Sequence, residues 1–293
     1  MPAGKTSVWG HDPIGEAYVD FQRELKALTA RGIVLAIVSK NDEAVALEAI
    51  RRHPEMVLKE NDFAGWRINW NDKARNVAEL VADLNLGLQS TVFIDDNPAE
   101  RARVKEQLPD VLVPEWPEDR TLYRQRLLEL TCFDTPMLGS EDQQRTAMYV
   151  AERQRKEARV DVGSLHDWLE SLEMKVVLEP LQEHNLPRTA QLLNKTNQMN
   201  LTTRRLTEAE LAAWAAEDPH ALWVVRVSDR FGDAGLTGIL GIAIQDDKLQ
   251  IVDFILSCRV FGRQVEHLML ALAVHEARRA GCQEVVAEYH ATA

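Results

Sequence analysis

Cysteine is scarce in this sequence, and the little there is excludes two common ways of stapling a chain. Cys132, Cys258 and Cys282 are odd in number and lack metal-type spacing, so neither a disulfide framework nor a zinc site is indicated. Any cysteine role is that of a thiol. Basic charge is also in deficit: 34 Lys and Arg stand against 46 Asp and Glu, a formal net charge of −12. An electrostatic grip on nucleic acid or an anionic membrane needs a clustered basic surface, so small molecules and proteins are the expected partners. Long apolar runs are missing as well. Nothing approaches the roughly 20 residues that span a bilayer, and MPAGKTSVWGHDP has no apolar stretch resembling a secretion signal; the expected location is the cytoplasm. The eight histidines form no metal-spaced cluster. MPAGKTS contains Gly-Lys-Thr, but the first glycine of a phosphate loop and the strand that should precede it are absent.

What is present suits two domains, since 293 residues exceed the usual size of a single core. From Glu16 to Arg31, apolar Ala17, Tyr18, Phe21, Leu25 and Leu28 fall at helical spacing, and Gly32 supplies a stop. IVLAIV at 33–38 is a short apolar run suited to a strand covered on both faces, ending at Ser39. Asn41 or Asp42 then caps the helix EAVALEAIRR, and MVL at 56–58 reads as a short strand. ARNVAELVADLNL, closed by Gly87, is the next helix. TVFID follows as a strand, and Asn97, Pro98 and Glu100 stand where N-cap, N1 and N3 residues belong. VLV at 111–113 reads as a further strand. This alternation predicts a doubly wound α/β unit, with ligand sites at the carboxyl ends of the strands, where Ser39, Asp95 and Asp96 lie. Residues 118–173 read as a mostly helical connector. From Met174 the pattern changes to strand, helix, polar loop and a helix opened by the capping box Thr207 to Glu210. ALWVVRVS, LTGILGIAIQ and LQIVDFILS follow, divided by turn residues that favour an antiparallel meander, before a helix at about 263–280 and the strand EVVAEY. The expected division is 1–117, 118–173 and 174–293.

Two adjacent carboxylates between an apolar strand and a capped helix form a hard-oxygen site suited to Mg²⁺ beside a phosphate. Taken alone, Asp95 and Asp96 read more readily as solvated strand-end residues. Ser39 and Lys73 add to the metal reading, the hydroxyl as a partner for a phosphoryl oxygen and the ammonium as a neutraliser of developing charge.

At this point VSKND, NWNDKARN and FIDDNPAER together resemble three of the four motifs of the haloacid dehalogenase-like (HAD) phosphatases. In that family a strand-end Asp attacks phosphorus and Mg²⁺ bridges the nucleophile, the phosphate and the acidic pair; Asn41 and Asn97 would line the substrate site. The first motif is missing: Asp12 precedes a proline, Asp20 lies inside a helix, and no Asp-x-Asp precedes Ser39. The resemblance implies that a central strand is lacking, leaving a gap between the strands ending at Ser39 and Asp95, with Mg²⁺ held weakly or not at all. The expectation is of a chain truncated before about Ile14.

Longer segments, RGIVLAIVSKNDEAVALEAIRRHPEMVLKENDFAGWRINWNDK, LNKTNQMNLTTRR, DRFGDAGLTGI and SCRVFGRQVE, resemble the FkbH-like subfamily from about residue 14 to the end. That resemblance implies an incomplete Rossmann-like sheet followed by an α+β domain similar to the GCN5-related acyltransferases (GNAT). It further implies removal of phosphate from a small phosphorylated three-carbon donor such as 1,3-bisphosphoglycerate and loading of a glyceryl unit on acyl carrier protein, as in polyketide pathways. The alternatives are a CoA-dependent N-acyltransferase working through the second domain and a non-catalytic remnant. In an acyltransferase-like fold an Arg-x-x-Gly loop at a helix start offers N–H groups to a pantetheine phosphate, a position that Arg259 to Gly262 fits. Cys258, beside that loop and flanked by Arg259 and Arg263, is the candidate acyl-carrying nucleophile, with a buried structural cysteine as the plain alternative. Thr196, Asn197 and Gln198 could hold a carboxylate, phosphate or hydroxyl, or simply end a helix. Arg204 could meet phosphate or stand in solvent.

Overall fold

The computed structural model describes residues 13–134, 140–160, 163–195 and 199–288. The chain divides into two units, Met1–Gln154 and Arg155–Ala293, and the boundary falls inside the segment read as a connector.

In the first unit, polar caps start the helices where the sequence places them. Asp42 accepts the Val45 N–H and opens α2 (Glu43–Arg52), which follows α1 (Pro13–Ala30). Asp72 accepts the Arg75 N–H and opens α3 (Lys73–Asp83), and Asn97 opens α4 (Pro98–Gln107) with proline in the first turn. Each cap satisfies a helix N–H that has no intrahelical partner. β1 (Leu35–Ser39) pairs in parallel with β2 (Phe63–Ile68). The latter differs from the expected strand at 56–58. Its apolar pattern is broken by Gly65 and Arg67; Gly65 sits close against α3, where an added Cβ would lie 3.2 Å from Leu80 Cδ1. The segments read as strands at 91–95 and 111–113 shrink to a single parallel bridge, Val92 to Leu112. Phe93 N–H donates to Leu112 O (2.9 Å) and Leu112 N–H to Thr91 O (3.0 Å), and neither segment joins the β1–β2 sheet. The sheet is therefore small and parallel, as an incomplete doubly wound unit requires, and β1 is half-exposed where the sequence suggested cover on both faces. Phe93, Val104, Val111, Ala74 and Val77 form one core cluster, and Trp116, Tyr123, Leu127 and Leu28 another, against which Ile94 packs. The 118–173 segment is helical: α5 (Tyr123–Leu128), α6 (Ser140–Val160) and α7 (Leu165–Ser171).

The second unit is a five-stranded mixed sheet in the order β3-β4-β5-β6-β7. Its strands are β3 (Lys175–Pro180), β4 (His220–Asp229), β5 (Gly232–Gln245), β6 (Lys248–Leu256) and β7 (Glu284–Ala287). The first four are antiparallel, β4, β5 and β6 through the short polar turns that predict a meander, and β7 returns parallel to β6 after the long helix α10 (Val265–Arg279). Helices α8 (Leu186–Lys195) and α9 (Glu208–Ala216) lie between β3 and β4 in sequence, and the Thr207–Glu210 capping box is present. Two clusters form its core, one joining β4, β5 and β6 to α10, the other joining the sheet to α8 and α9. Among the described residues no helix is long and apolar enough to cross a membrane.

Asp229, at the end of β4, is the most demanding residue of this unit. Its fully buried carboxylate accepts from Arg155 Nε (2.6 Å) and Nη2 (2.9 Å), from Arg263 Nη1 (3.1 Å) and from the N–H groups of Phe231 and Gly232. Burial opposes its charge, but the hydrogen bond and charge of Arg155, with help from Phe231 N–H and Arg263, hold its carboxyl below the ordinary range. Breaking one side of a buried ion pair costs about 3–5 kcal/mol, so Asp229→Asn should destabilise this unit by about that much in urea unfolding at neutral pH. Because the folded-state value is depressed, the stabilisation is present above about pH 4 and fades as pH falls through the folded value; Asp229→Asn should flatten that acid limb.

Candidate functional site

In the first unit three loops meet through paired side chains. Lys73, the first residue of α3, places Nζ 2.5 Å from Asp95 Oδ2, and the two side chains are only 13% and 6% exposed. The other carboxylate oxygen of Asp95 accepts the Asn97 N–H at 2.9 Å. Arg101 locks the backbone beneath, donating from Nη1 to Asp95 O (2.8 Å) and Asp96 O (3.2 Å). Lys40 carries the end of β1 to the same place, with Nζ 2.5 Å from Glu100 Oε1 in the first turn of α4. Arg103 pairs with Asp72, tying α4 to the cap of α3. Ser39 O accepts the Asn69 N–H at 3.0 Å, and the Asn69 and Asn76 side chains are hydrogen bonded to each other. The structure thus brings Lys73, Asp95 and Asn97 together, with Asp96 next in the chain, and ties Lys40, the residue after Ser39, to the first turn of α4. Asn41 is turned to its own backbone, accepting the Asp42 N–H at 2.8 Å.

Lys40, Arg101 and the Asp72–Arg103 pair were not read from the sequence. Arg101 carried a signal: a cation in the first turns of a helix opposes the helix dipole and needs a local reason. Asp96, unlike Asp95, is exposed. Its charge is felt by Tyr18 and Tyr123, whose phenols are pushed up first by burial and further by Asp96, with Arg120 opposing.

Among the described residues no three His, Cys, Asp or Glu side chains converge as a metal cage. Mg²⁺ does not require one, since it commonly takes one or two carboxylates and completes its shell with water and substrate phosphate. Asp95 and Asp96 meet that requirement in donor chemistry, although Lys73 and the Asn97 N–H already hold both oxygens of Asp95.

In the second unit Cys258 is exposed and opens a short 3₁₀ turn, Cys258–Val260. It lies ahead of α10, as its place before the Arg259–Gly262 loop implies, and no α-helix begins at it. Gly262 (φ 73°) and Gln264 (φ 61°) make a left-handed turn that delays the helix to Val265. Arg263 is turned inward, donating to Asp229 and, at 2.5 Å, to Arg259 O, so its guanidinium braces the loop and does not face solvent. Arg259 is better placed for a ligand: its Nη1 is shielded from solvent with no hydrogen-bond partner. The N-cap Gln264 makes no side-chain cap bond to α10, although Glu266 adds a negative charge to the first turn. Arg204 is committed elsewhere, forked onto the fully buried Asp253 and lying 4.3 Å over the Trp214 ring. Burial pushes the Asp253 carboxyl above its ordinary range despite Arg204, and this buried charge accounts for why Arg204 is drawn in. Thr196, Asn197 and Gln198 lie outside the described residues.

No family model and no curated protein sequence matches the chain. Among solved structures, it is similar to the N-terminal part of the protein BF1531 from Bacteroides fragilis, containing a phosphatase domain and complexed with Mg. The identity is 46%, the match covers 44% of this chain and 35% of that one, and the TM-score is 0.43. The chain therefore spans about a third of that relative's length. It is also similar to a Trypanosoma brucei acetyltransferase (17% identity, 40% of this chain and 84% of that chain, TM-score 0.32). A GNAT family acetyltransferase from Staphylococcus aureus gives 12% identity over 40% of this chain and 87% of that chain, with a TM-score of 0.31.

Lys73 and Asp95 should behave as one unit. Lys73→Met strands the Asp95 carboxylate and should cost about 3 kcal/mol in urea unfolding, whereas adding Asp95→Asn should recover part of that loss. Simple additivity of the two changes would show that the pair is not coupled.

Proposed function

We propose that this chain works in acyl transfer from a small phosphorylated three-carbon donor, such as 1,3-bisphosphoglycerate, to the phosphopantetheine thiol of an acyl carrier protein, in the manner of the FkbH-like proteins. The observation that carries this reading is the Lys73–Asp95 pair, fixed by the Asn97 N–H and Arg101. It is supported by 46% identity to a protein part that contains a phosphatase domain and was determined with Mg.

In the first unit Ser39 and Lys73 would bind and neutralise the donor's phosphoryl oxygens, and Asp95 and Asp96 would hold Mg²⁺. When bound, that ion would supply charge stabilisation to the phosphate. Arg101 and the Asn97 N–H keep the Asp95 segment in place before any ligand arrives, which is the preorganisation that electrostatic stabilisation needs. Beside this cluster the described residues offer no strand-end aspartate to accept a phosphoryl group, so none is assigned.

In the second unit the Cys258 thiolate would attack the donor's acyl carbon, forming a thioester as the C–O bond to phosphate breaks and phosphate departs. The carrier's pantetheine thiolate would then attack that thioester and release Cys258 as thiolate. Arg259 Nη1 and the uncapped start of α10 would receive the pantetheine phosphate. The same two features favour a second reading, a CoA-dependent N-acyltransferase, in which Cys258 has no part.

Incubation with 1,3-bisphosphoglycerate, Mg²⁺ and holo-carrier protein, followed by intact-mass analysis, separates these readings. The expected carrier adduct is an acyl group that keeps its remaining phosphate and disappears with Cys258→Ser. A dephosphorylated adduct abolished by Asp95→Asn would overturn the view of the phosphatase site as incomplete. Equal loading by Cys258→Ser, together with tight acetyl-CoA binding, would favour the N-acyltransferase.

A further inference from the structure

Beside the Asp95 segment of the first unit stands an aromatic block that the chemistry described above does not use. Tyr18 on α1 and Tyr123 at the start of α5 meet edge to face, with ring centroids 5.9 Å apart. Phe21 and Trp116 close the block, at 5.8 Å and 5.5 Å from Tyr123. Two contacts tie it to the acidic segment. Ile94, the residue before Asp95, packs against the cluster containing Trp116 and Tyr123. Arg101 donates from Nη1 to Asp95 O (2.8 Å) and from Nη2 to Trp116 O (3.5 Å), so one guanidinium spans both. The two phenols lie close enough to Asp96 to feel its charge.

Arg120 is brought to the same phenols. Its Cζ lies 5.9 Å from the centroid of the Tyr18 ring, and it is hydrogen bonded to Tyr123, a residue only 5% exposed. The turn that carries it, Arg120–Leu122, is fixed by Asp119, whose Oδ1 accepts from Thr121 N–H (2.9 Å) and Thr121 Oγ1 (2.7 Å). Arg124 Nε donates to Glu24 at 2.8 Å and ties α5 to α1, the helix that bears Tyr18. Arg120 itself is exposed, and among the described residues no carboxylate forms a salt bridge with it. If its task were only to neutralise Asp96, it would pair with that exposed carboxylate, and it does not. A guanidinium laid on aromatic rings keeps its charge and its remaining N–H donors for an anion from solution.

We propose that Arg120, backed by Tyr18 and Tyr123, is a second anion subsite of the first unit, receiving one phosphate of a three-carbon bisphosphate whose other phosphate meets Lys73. This rests on the reading of a phosphorylated three-carbon donor and adds its selectivity: the unit distinguishes a donor with two anionic ends from one with a single phosphate. Lys73 is already paired with Asp95 and cannot balance two phosphates. Arg120 supplies a further cation, in a planar fork that matches phosphate oxygens.

Calorimetry on the full chain in Mg²⁺ buffer, with propane-1,3-diol bisphosphate and its monophosphate as probes, tests this. Wild type should bind the bisphosphate about tenfold tighter, the usual worth of one hydrogen-bonded contact to a charged group. Arg120→Gln should abolish the preference, weakening the bisphosphate about tenfold and the monophosphate by less than about twofold. Arg120→Lys should restore part of it, since charge returns without the fork. Tyr123→Phe keeps the ring and loses the hydroxyl, and should reduce the preference about threefold. Arg124→Gln, an exposed change on the same helix, should keep the preference in full. Thermal melts confirm that each variant is folded. A preference that survives Arg120→Gln, or equal affinity of wild type for the two probes, would overturn the subsite while leaving phosphate binding at Lys73 intact. An equal loss for both probes in Arg120→Gln would make Arg120 a general support of the acidic segment and equally overturn the selectivity. Binding of neither probe by wild type would overturn the phosphorylated-donor reading, and this inference with it.

Discussion

Three carboxylates that the fold takes out of water govern the loops of this protein. Asp95 is neutralised by Lys73, Asp229 by Arg155 and Arg263, and Asp253 by Arg204, in each case by a cation brought from another element. An unpaired buried charge is far costlier than the pair, so each acid fixes the path of the segment that supplies its partner. Lys73 sets the start of α3 against the Asp95 segment. Arg263 draws the β6–α10 loop inward, and Arg204 seats the segment before α9 on β6. The residues nearest the candidate chemistry are therefore placed by charge burial more than by regular secondary structure.

This division of labour decides what could be read beforehand. The starts of α2 and α4 were legible, because Asp42 and Asn97 announce caps through local chemistry that tertiary context seldom overrides, whereas the Asp72 cap of α3 was not read. The meander β4–β5–β6 was legible for the same reason, its turns being short and polar. β2 was missed because Gly65 and Arg67 break its apolar pattern, and the close approach of α3 at Gly65 is a contact that local pattern does not contain. The segment at 91–95 reads as a strand because its residues favour extension, but a ladder also needs neighbouring strands, and among the described residues its one β-bridge is that of Val92 to Leu112.

In the candidate site, residue types were easier to find than their roles. Lys73, Asp95 and Asn97 come together, and the brace beneath them, Arg101, adds a positioning element that composition alone does not single out. Arg204 and Arg263 looked like free cations in the sequence and are instead counter-charges to Asp253 and Asp229. Their acids lie 49 and 34 residues away in the chain, beyond any local pattern. The same commitment leaves Arg259 as the guanidinium with a donor to spare in the β6–α10 loop. Gly262 and Gln264, by turning left-handed, separate Cys258 from the helix and make its chemistry a matter of exposure, without a helix terminus beside it.

Acyl transfer to a carrier protein requires that the second unit recognise a pantetheine arm. The most direct measurement is an NMR titration of the ¹⁵N-labelled chain with an acyl carrier protein, carried out once with the holo form and once with the apo form. Holo-carrier should shift the amides of Val252–Gln264, and apo-carrier should leave them nearly unmoved. Identical responses to the two forms, or shifts that bypass this segment, would contradict it.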